Sequence, residues 1–182
     1  EYSCDKGYDG LLSRVSSSGG HHIEYGYDDK FRLAHTMESI NGKSFKTTYS
    51  YDAANRVETI SYPSGFCVLK KYSNAGYEKM VCDAKTDLVL WRTEDVDSKG
   101  HITEFQLGNG IKTKCSYNAY HGAVENIETK MSDVVYQNMS YNYDGMGNLI
   151  YRCDAYNNYE EFEYDSYDRL DEIILNGVVN GR

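Results

Sequence analysis

Proline is nearly absent from the sequence. Pro63 is the only proline among 182 residues, and it lies two positions before the turn glycine Gly65. Because proline interrupts the hydrogen-bond ladder of a sheet interior, its scarcity allows a long, uninterrupted sheet. No stretch of about 11 residues keeps a helical apolar period between recognisable caps. The sequence therefore predicts strands and turns, and it lacks the roughly 18 apolar residues of a membrane-spanning helix.

Positive charge is also scarce. The chain has 19 Lys and Arg residues against 28 Asp and Glu residues, which gives a formal net charge of −9. The basic residues are scattered, and Lys70-Lys71 is the only adjacent pair. A protein that follows a phosphate backbone needs a basic stripe. This composition argues against a nucleic-acid partner.

Cysteine motifs are missing. No two cysteines have the Cys-x-x-Cys spacing, which disfavours a zinc site. The number of cysteines is odd, so even a secreted disulfide framework leaves one thiol over. We expect most or all of them to be free thiols that act as small hydrophobic side chains. The five cysteines are Cys4, Cys67, Cys82, Cys115 and Cys153.

Tyrosine is abundant, with 19 residues that offer ample material for a core. Many belong to a recurring phrase, which is clearest in Tyr141-Asn142-Tyr143-Asp144-Gly145-Met146-Gly147-Asn148-Leu149. The position directly before the Asp of the phrase is here called the anchor. It recurs every 21 to 26 residues. Such a period indicates a repeat architecture, and we expect one array of about eight repeats over 1–182, with 1–20 the least regular part. The anchors are Cys4, Tyr27, Tyr51, Tyr72, Val96, Tyr117, Tyr143 and Tyr164.

Each anchor is followed by a residue whose side chain can bond nearby backbone N–H groups and start a turn. These residues are Asp5, Asp28, Asp52, Ser73, Asp97, Asn118, Asp144 and Asp165. Arg32, Arg56 and Arg169 stand four positions after their Asp and can pair with it across the turn. An exposed pair of this kind contributes only about 0–1 kcal/mol.

A short hairpin loop requires a left-handed backbone at the position three residues after this turn-starting residue. Residues that tolerate this conformation stand there in five repeats: Asn55, Gly76, Gly100, Gly147 and Asp168. Tyr8, Phe31 and His121 break the pattern.

A second turn signal follows 12 to 15 residues after each anchor. Asn-Gly and related pairs between alternating apolar runs are strong hairpin signals. They stand at 18–20, 41–42, 64–65, 86–87, 109–110, 132–133, 157–158 and 176–177. Each repeat is therefore expected to hold two strands and two turns, and the predicted fold is an all-β antiparallel meander of hairpins.

The two tyrosines of the Tyr-x-Tyr-Asp phrase lie on one face of a strand, because strand side chains alternate. Stacked from repeat to repeat, they would form an aromatic ladder. We favour a packing role for them over the alternative, a ligand-binding surface.

Other candidate chemistry is weak. Asp95-Val96-Asp97-Ser98-Lys99-Gly100 resembles the start of a calcium loop, but Lys99 and Gln106 stand where ligands are needed. Glu160, Glu161, Glu163 and Asp165 form an acidic cluster of the kind that glycosidases use in pairs. A solvated acidic strand face explains this cluster better. We predict no catalytic residue, no metal and no cofactor.

The phrase Tyr-x-Tyr-Asp-x-x-Gly-Arg-Leu, recurring at this period, resembles the RHS or YD repeat. The residues that match the repeat are Tyr27, Asp28, Arg32, Tyr51, Asp52, Arg56, Tyr72, Gly76, Asp97, Gly100, Tyr117, Tyr143, Asp144, Gly147, Tyr164, Asp165 and Arg169.

The resemblance implies a β-strip that spirals into a hollow shell, as in bacterial RHS toxins, Tc toxin cocoon subunits and teneurins. In the bacterial toxins the shell encloses a C-terminal toxic domain. It follows that this chain is expected to be a non-catalytic shell segment of a secreted or cell-surface toxin. Its implied partners are the remaining shell and an enclosed effector domain. The self-cleaving core segment of those shells has no counterpart here.

A second hypothesis is an adhesion or carbohydrate-binding module, in which exposed tyrosines and Trp91 stack on glycans. The chain begins and ends within the repeats, at Glu1-Tyr2-Ser3-Cys4 and Val178-Val179-Asn180-Gly181-Arg182. We therefore expect a segment of a longer shell, which associates through its end strands when isolated.

Overall fold

The computed structural model describes the backbone of residues 2–4, 10–176 and 178–179, and the side chains of residues 10–176. The chain divides into two compact units, residues 1–90 and 91–182. The array of eight repeats as one domain stays a prediction. The described residues form strands and turns and include no helix.

The first unit contains eight strands and the start of a ninth. They are β1 (Tyr2–Cys4), β2 (Leu12–Ser16), β3 (His22–Tyr27), β4 (Leu33–Ile40), β5 (Lys43–Tyr51), β6 (Val57–Ser61), β7 (Cys67–Tyr72), β8 (Glu78–Asp83) and β9 (Val89–Val96). Consecutive strands from β1 to β8 pair antiparallel.

The second unit takes up most of β9 and eight further strands. They are β10 (Ile102–Leu107), β11 (Lys112–Tyr117), β12 (Val124–Met131), β13 (Val134–Tyr143), β14 (Leu149–Asp154), β15 (Tyr159–Tyr164), β16 (Leu170–Leu175) and β17 (Val178–Val179). Consecutive strands from β9 to β17 pair antiparallel. The predicted all-β antiparallel meander, with two strands per repeat, is confirmed.

A β-bulge precedes most anchors. The strand register shifts between Gly26 and Tyr27, and likewise just before the anchors Tyr51, Tyr72, Tyr117, Tyr143 and Tyr164. This shift is typical of a hairpin loop built from a type I turn followed by one left-handed residue. The predicted glycines take that conformation, with φ values of 94°, 91° and 90° at Gly76, Gly100 and Gly147.

Two turns depart from the sequence expectation. Phe31 does not break the pattern: it adopts the left-handed conformation itself, with φ 62°, because the turn requires it. In the repeat of Tyr117 the loop is one residue longer, since the N–H of Asn118 bonds the carbonyl of Ala123. Gly122, with φ 74°, takes the left-handed position there in place of His121. Tyr8 lies outside the described residues.

The second turns are also built on left-handed residues. Positive φ angles occur at Gly20, Asn41, Gly42, Gly65, Asp87, Gly110, Ser132, Asn157 and Asn176. Every one of the eight predicted second turns contains at least one of them, so the short-range turn chemistry of the sequence sets the hairpin positions.

Few side chains are fully buried. Among the described residues, the buried hydrophobic ones are Val68 and Cys82, which are 7% and 1% exposed. Thr113 is the buried polar residue, and its hydroxyl lies 3.0 Å from that of Thr129. The tyrosines therefore do not make the ample core that their number suggests. Most tyrosines with described side chains are half-buried, and six are exposed: Tyr62, Tyr77, Tyr120, Tyr136, Tyr156 and Tyr167.

Candidate functional site: the Asp-turn ladder

The aspartate that follows five of the anchors organises its own turn. In the first good repeat, Asp28 Oδ1 accepts hydrogen bonds from the backbone N–H groups of Lys30 and Arg32, both at 2.9 Å. Asp28 Oδ2 accepts a bond from Arg32 Nε at 2.7 Å. A carboxylate that accepts three bonds both closes the turn and fixes the side chain four positions later. The same three bonds recur at Asp52, Asp97, Asp144 and Asp165.

Hydrogen bonding stabilises the charged form of these carboxyls. At Asp52 and Asp144 the backbone N–H four residues on is the largest influence, and it lowers the pKa of the carboxyl. At Asp28 and Asp97 burial is the largest single influence and raises the pKa, but the hydrogen bonds together outweigh it. The pKa of Asp165 is lowered chiefly by the side chain of Arg169. The net effect is a lowered pKa at all five aspartates, which favours the charged form of each carboxyl.

Five anchor tyrosines bond to the repeat before their own. The hydroxyl of Tyr51 donates a hydrogen bond of 2.8 Å to the carbonyl of Leu33, the residue that directly follows the preceding turn. Four more anchors donate to a carbonyl 15 residues earlier, at 2.6 to 3.0 Å. These pairs are Tyr27 with Leu12, Tyr72 with Val57, Tyr117 with Ile102 and Tyr164 with Leu149.

The residue four positions after the Asp makes a further link between repeats. The Arg32 guanidinium lies 4.3 Å from the ring centroid of Tyr51, and its Nη1 donates to Asn55 Oδ1 at 2.6 Å. Arg56 lies 4.2 Å from the Tyr72 ring centroid in the same way. Such cation–π contacts contribute about 0.5–1 kcal/mol at exposed positions.

Other residue types replace the arginine in some repeats. The ring of His101 stacks on Tyr117, with centroids 4.6 Å apart, while its Nδ1 lies 2.8 Å from Asp97 Oδ2. Asn148 Nδ2 donates to Asp144 Oδ2 and to Asp168 Oδ1 of the next turn, at 3.0 and 3.1 Å. We call these aspartates, the residues four positions later and the anchor tyrosines the Asp-turn ladder.

Sequence reasoning identified the members of the ladder but not all of their contacts. The Asp–Arg pairs were expected, and their N–O distances are 2.7, 2.7 and 2.6 Å for Arg32, Arg56 and Arg169. The tyrosine bonds and the stacked cations were missed, because they join residues 15 to 23 positions apart. Tyr143 lies 5.6 Å from the ring of His121. The structural role of the ladder residues stays a prediction.

The residues that suggested other chemistry have local partners. Both oxygens of Asp97 accept hydrogen bonds within its own turn, and Asp95 Oδ2 accepts one from Thr103 at 3.0 Å. Across the described ranges, no three His, Cys, Asp or Glu side chains are grouped as metal ligands. In the acidic cluster, Glu160 pairs with Arg152 and Asp165 with Arg169.

The cysteines with described side chains are free thiols: Cys67, Cys82, Cys115 and Cys153. The expectation of mostly unpaired cysteines is met at these four positions. The side chain of Cys4 lies outside the described residues.

The second unit also contains a cavity of about 340 Å³ that the sequence did not indicate. It is lined by Met139, Arg152, Asp154, Asn158, Tyr159, Glu160, Leu175 and Asn176. Its polar groups already bond one another: Arg152 pairs with Glu160, and Asp154 closes a turn with Asn158. This arrangement leaves little free hydrogen-bonding capacity for a polar ligand.

No protein-family model and no curated protein matches the chain. Solved structures do match. A crystal structure of TcdB2-TccC3 without the hypervariable C-terminal region has a TM-score of 0.70 over 90% of this chain, at 17% identity. A crystal structure of TcdB2-TccC3 with Cdc42 has a TM-score of 0.67 over 84%, at 16% identity. The fold is the one seen in these Tc toxin structures.

A structure of the Photorhabdus luminescens Tc holotoxin pore is similar to the same extent, with a TM-score of 0.67 over 84% of this chain at 16% identity. The chain spans 9% of the length of each of these three Tc toxin neighbours. At this identity the likeness shows the fold, and the role of the chain has to be argued from its own residues. Within the described part of the chain, no helix meets the length and apolarity that a membrane crossing requires.

Proposed function

We propose that the chain is a non-catalytic structural segment of an RHS-type β-shell, which helps to enclose the effector domain of a secreted toxin. The observation that carries this proposal is the Asp-turn ladder. In the described repeats that keep the phrase, the aspartates close their own turns, and the anchor hydroxyls and the side chains four positions after the Asp contact a neighbouring repeat. The ladder groups are thus used to build turns and to link repeats, which suits a shell wall.

The exposed surface supports the same proposal. Among the described residues, 17 large hydrophobic side chains are exposed, while Val68 and Cys82 are the buried hydrophobic ones. A hairpin layer with two buried hydrophobic side chains among those described needs further protein to cover its faces. The Tc toxin fold supplies the precedent for a strip of this kind within a much longer chain.

The experiment uses the natural full-length protein that contains this sequence. We expect its coding sequence to carry further Tyr-Asp repeats and a separate terminal domain. In limited proteolysis of the purified protein, that domain should resist digestion while the shell is intact and become sensitive after partial unfolding. A terminal domain that is digested at the same rate in the native and partly unfolded protein contradicts enclosure.

A glycan-binding module is the second candidate function. Three tyrosines are almost fully exposed on turns of the second unit: Tyr120 at 95%, Tyr156 at 83% and Tyr167 at 78%. Exposed rings of this kind can stack on sugars. Binding on a glycan array that is lost in the triple alanine variant of these tyrosines favours this function, and an array without binding disfavours it.

A further inference from the structure

Strand β13 extends beyond one of its two neighbours. β12 pairs with it up to the turn, where Met131 lies opposite Val134. β14 pairs with it only from Met139, which lies opposite Asp154, to Tyr143. Within the described residues, the segment Val134–Asn138 therefore has a strand on one side only. We call this segment the free edge. In antiparallel pairing, alternate residues point their peptide groups to opposite sides, so the free edge presents N–H and C=O groups outward.

The free edge carries no charge, and its first three residues are apolar or aromatic. Val134, Val135 and Tyr136 are 55%, 45% and 58% exposed. Proteins usually protect exposed strand edges with charged residues, lysine above all, because a bare edge pairs with other chains. Val134–Asn138 has no charged residue, and its one irregularity is a β-bulge at Tyr136, where the register with β12 shifts.

The first unit offers an internal comparison. Strand β5 also extends beyond its neighbour, because its pairing with β6 begins only at Thr48. Its overhanging segment 43–47 contains Lys43 and Lys46, as the protection of an edge requires. The two overhangs have the same place in their hairpins but differ in charge. The bare edge of β13 is therefore not a general property of the repeat.

A cavity of about 270 Å³ lies beside the free edge. One wall is formed by residues 135–139 and the other by Asp154, Ala155 and Tyr156 of the β14–β15 turn. A water molecule occupies about 30 Å³, so the cavity has room for a large side chain. Tyr156, 83% exposed, stands at its border.

We propose that the free edge binds an extended peptide segment of another polypeptide, which adds to β13 as a strand and places one apolar side chain in the cavity. The outward N–H and C=O groups select a peptide backbone, since its own groups have the same spacing. The uncharged edge favours an uncharged segment. A second copy of this chain is disfavoured as the occupant. Two paired edges of five residues each bury much less than the roughly 1,200 Å² of a stable interface.

The test uses the whole chain and a synthetic, end-blocked peptide, Thr-Val-Thr-Val-Tyr-Val-Thr. A matched peptide has the same side chains but N-methyl groups on alternate peptide nitrogens, which removes strand pairing alone. We expect the first peptide to bind saturably, to shift the NMR signals of Val134–Asn138 and to slow their amide exchange. The N-methylated peptide should bind at least tenfold more weakly. Equal binding of the two peptides, or no saturable binding at 1 mM, contradicts the proposal.

Variants locate the site. Val135→Lys should weaken peptide binding at least tenfold, because it puts a charge on the free edge. Phe45→Lys, at the overhang of β5, is the matched control and should leave binding unchanged. Unchanged binding in Val135→Lys places the peptide elsewhere and overturns the assignment. A concentration-dependent dimer that Val135→Lys abolishes would put a second copy on the edge and would equally overturn it.

Discussion

At the residue scale, the anchor tyrosines combine two functions in one side chain. The ring of Tyr51 supports the Arg32 guanidinium, and its hydroxyl bonds the carbonyl of Leu33. Both partners belong to the preceding repeat. A phenylalanine at this position would keep the ring contact and lose the bond, which separates the two contributions.

The variant Tyr51→Phe should therefore destabilise the chain by about 0.5–1.5 kcal/mol, the usual net contribution of one hydrogen bond. The Leu33 carbonyl that loses its hydrogen-bond donor is part-buried. We therefore expect the loss of stability to lie in the upper half of this range. Urea unfolding followed by circular dichroism measures the change. Tyr156→Phe is the control, because that ring is 83% exposed, and it should leave the unfolding midpoint unchanged. Equal midpoints for Tyr51→Phe and the unaltered chain contradict the ladder.

The ladder carboxyls predict an acid-labile fold. The pKa values of the ladder aspartates lie below the ordinary value of 3.8 in the folded chain. As the pH falls below that value, the unfolded chain takes up protons first, so stability that is present above pH 3.8 is lost as the pH passes through the folded values. Urea midpoints at pH 6, 4 and 3 should decline steadily.

A single carboxyl can be tested in the same series. Asp144→Ala removes an acceptor of three hydrogen bonds and should lower the midpoint at pH 6 while changing no activity. Its midpoint should also change less between pH 6 and pH 3 than that of the unaltered chain. A folded Asp144→Ala variant that loses a measurable activity would make Asp144 a functional residue instead.

At the element scale, what could be predicted from the sequence is set by distance along the chain. The turn of Asp52 uses bonds between residues two to four positions apart, so Asp, Asn and Arg at the right spacing were enough to predict it. The bond from Tyr51 to Leu33 spans 18 residues and depends on the register of β4 and β5. The exposed free edge depends on the unequal lengths of β13 and β14, which composition does not reveal.

The left-handed residues identify where hairpins carry strain. Ser132 sits in the turn between β12 and β13 with φ 50°, a conformation that costs a non-glycine residue roughly 1–2 kcal/mol. Ser132→Gly should therefore stabilise the chain by about 1 kcal/mol, since glycine adopts this φ freely. Ser116→Gly in β11 is the control, and it should destabilise by about 0.5–1 kcal/mol because it lies in an extended strand. Urea midpoints that move down in both variants contradict this account of the turn.

At the scale of the whole molecule, few of the described side chains are fully buried. The exposed large hydrophobic side chains of the described residues imply association of the isolated chain. Sedimentation of 1–182 at increasing concentration should show oligomers or aggregates in place of one sharp monomer boundary. A monomer that stays compact and unfolds in two-state fashion would indicate a self-contained module and would favour glycan binding over the shell.

The contact of each turn with its successor, such as Arg32 with Asn55 and Asn148 with Asp168, also governs how the molecule responds to force. A pull on the two ends of the isolated chain loads the hairpins in series. Repeats should then unfold one at a time. One period of 21 to 26 residues releases about 70 to 86 Å of chain at roughly 3.3 Å per residue. In an optical trap, the chain should lengthen in steps of about that size.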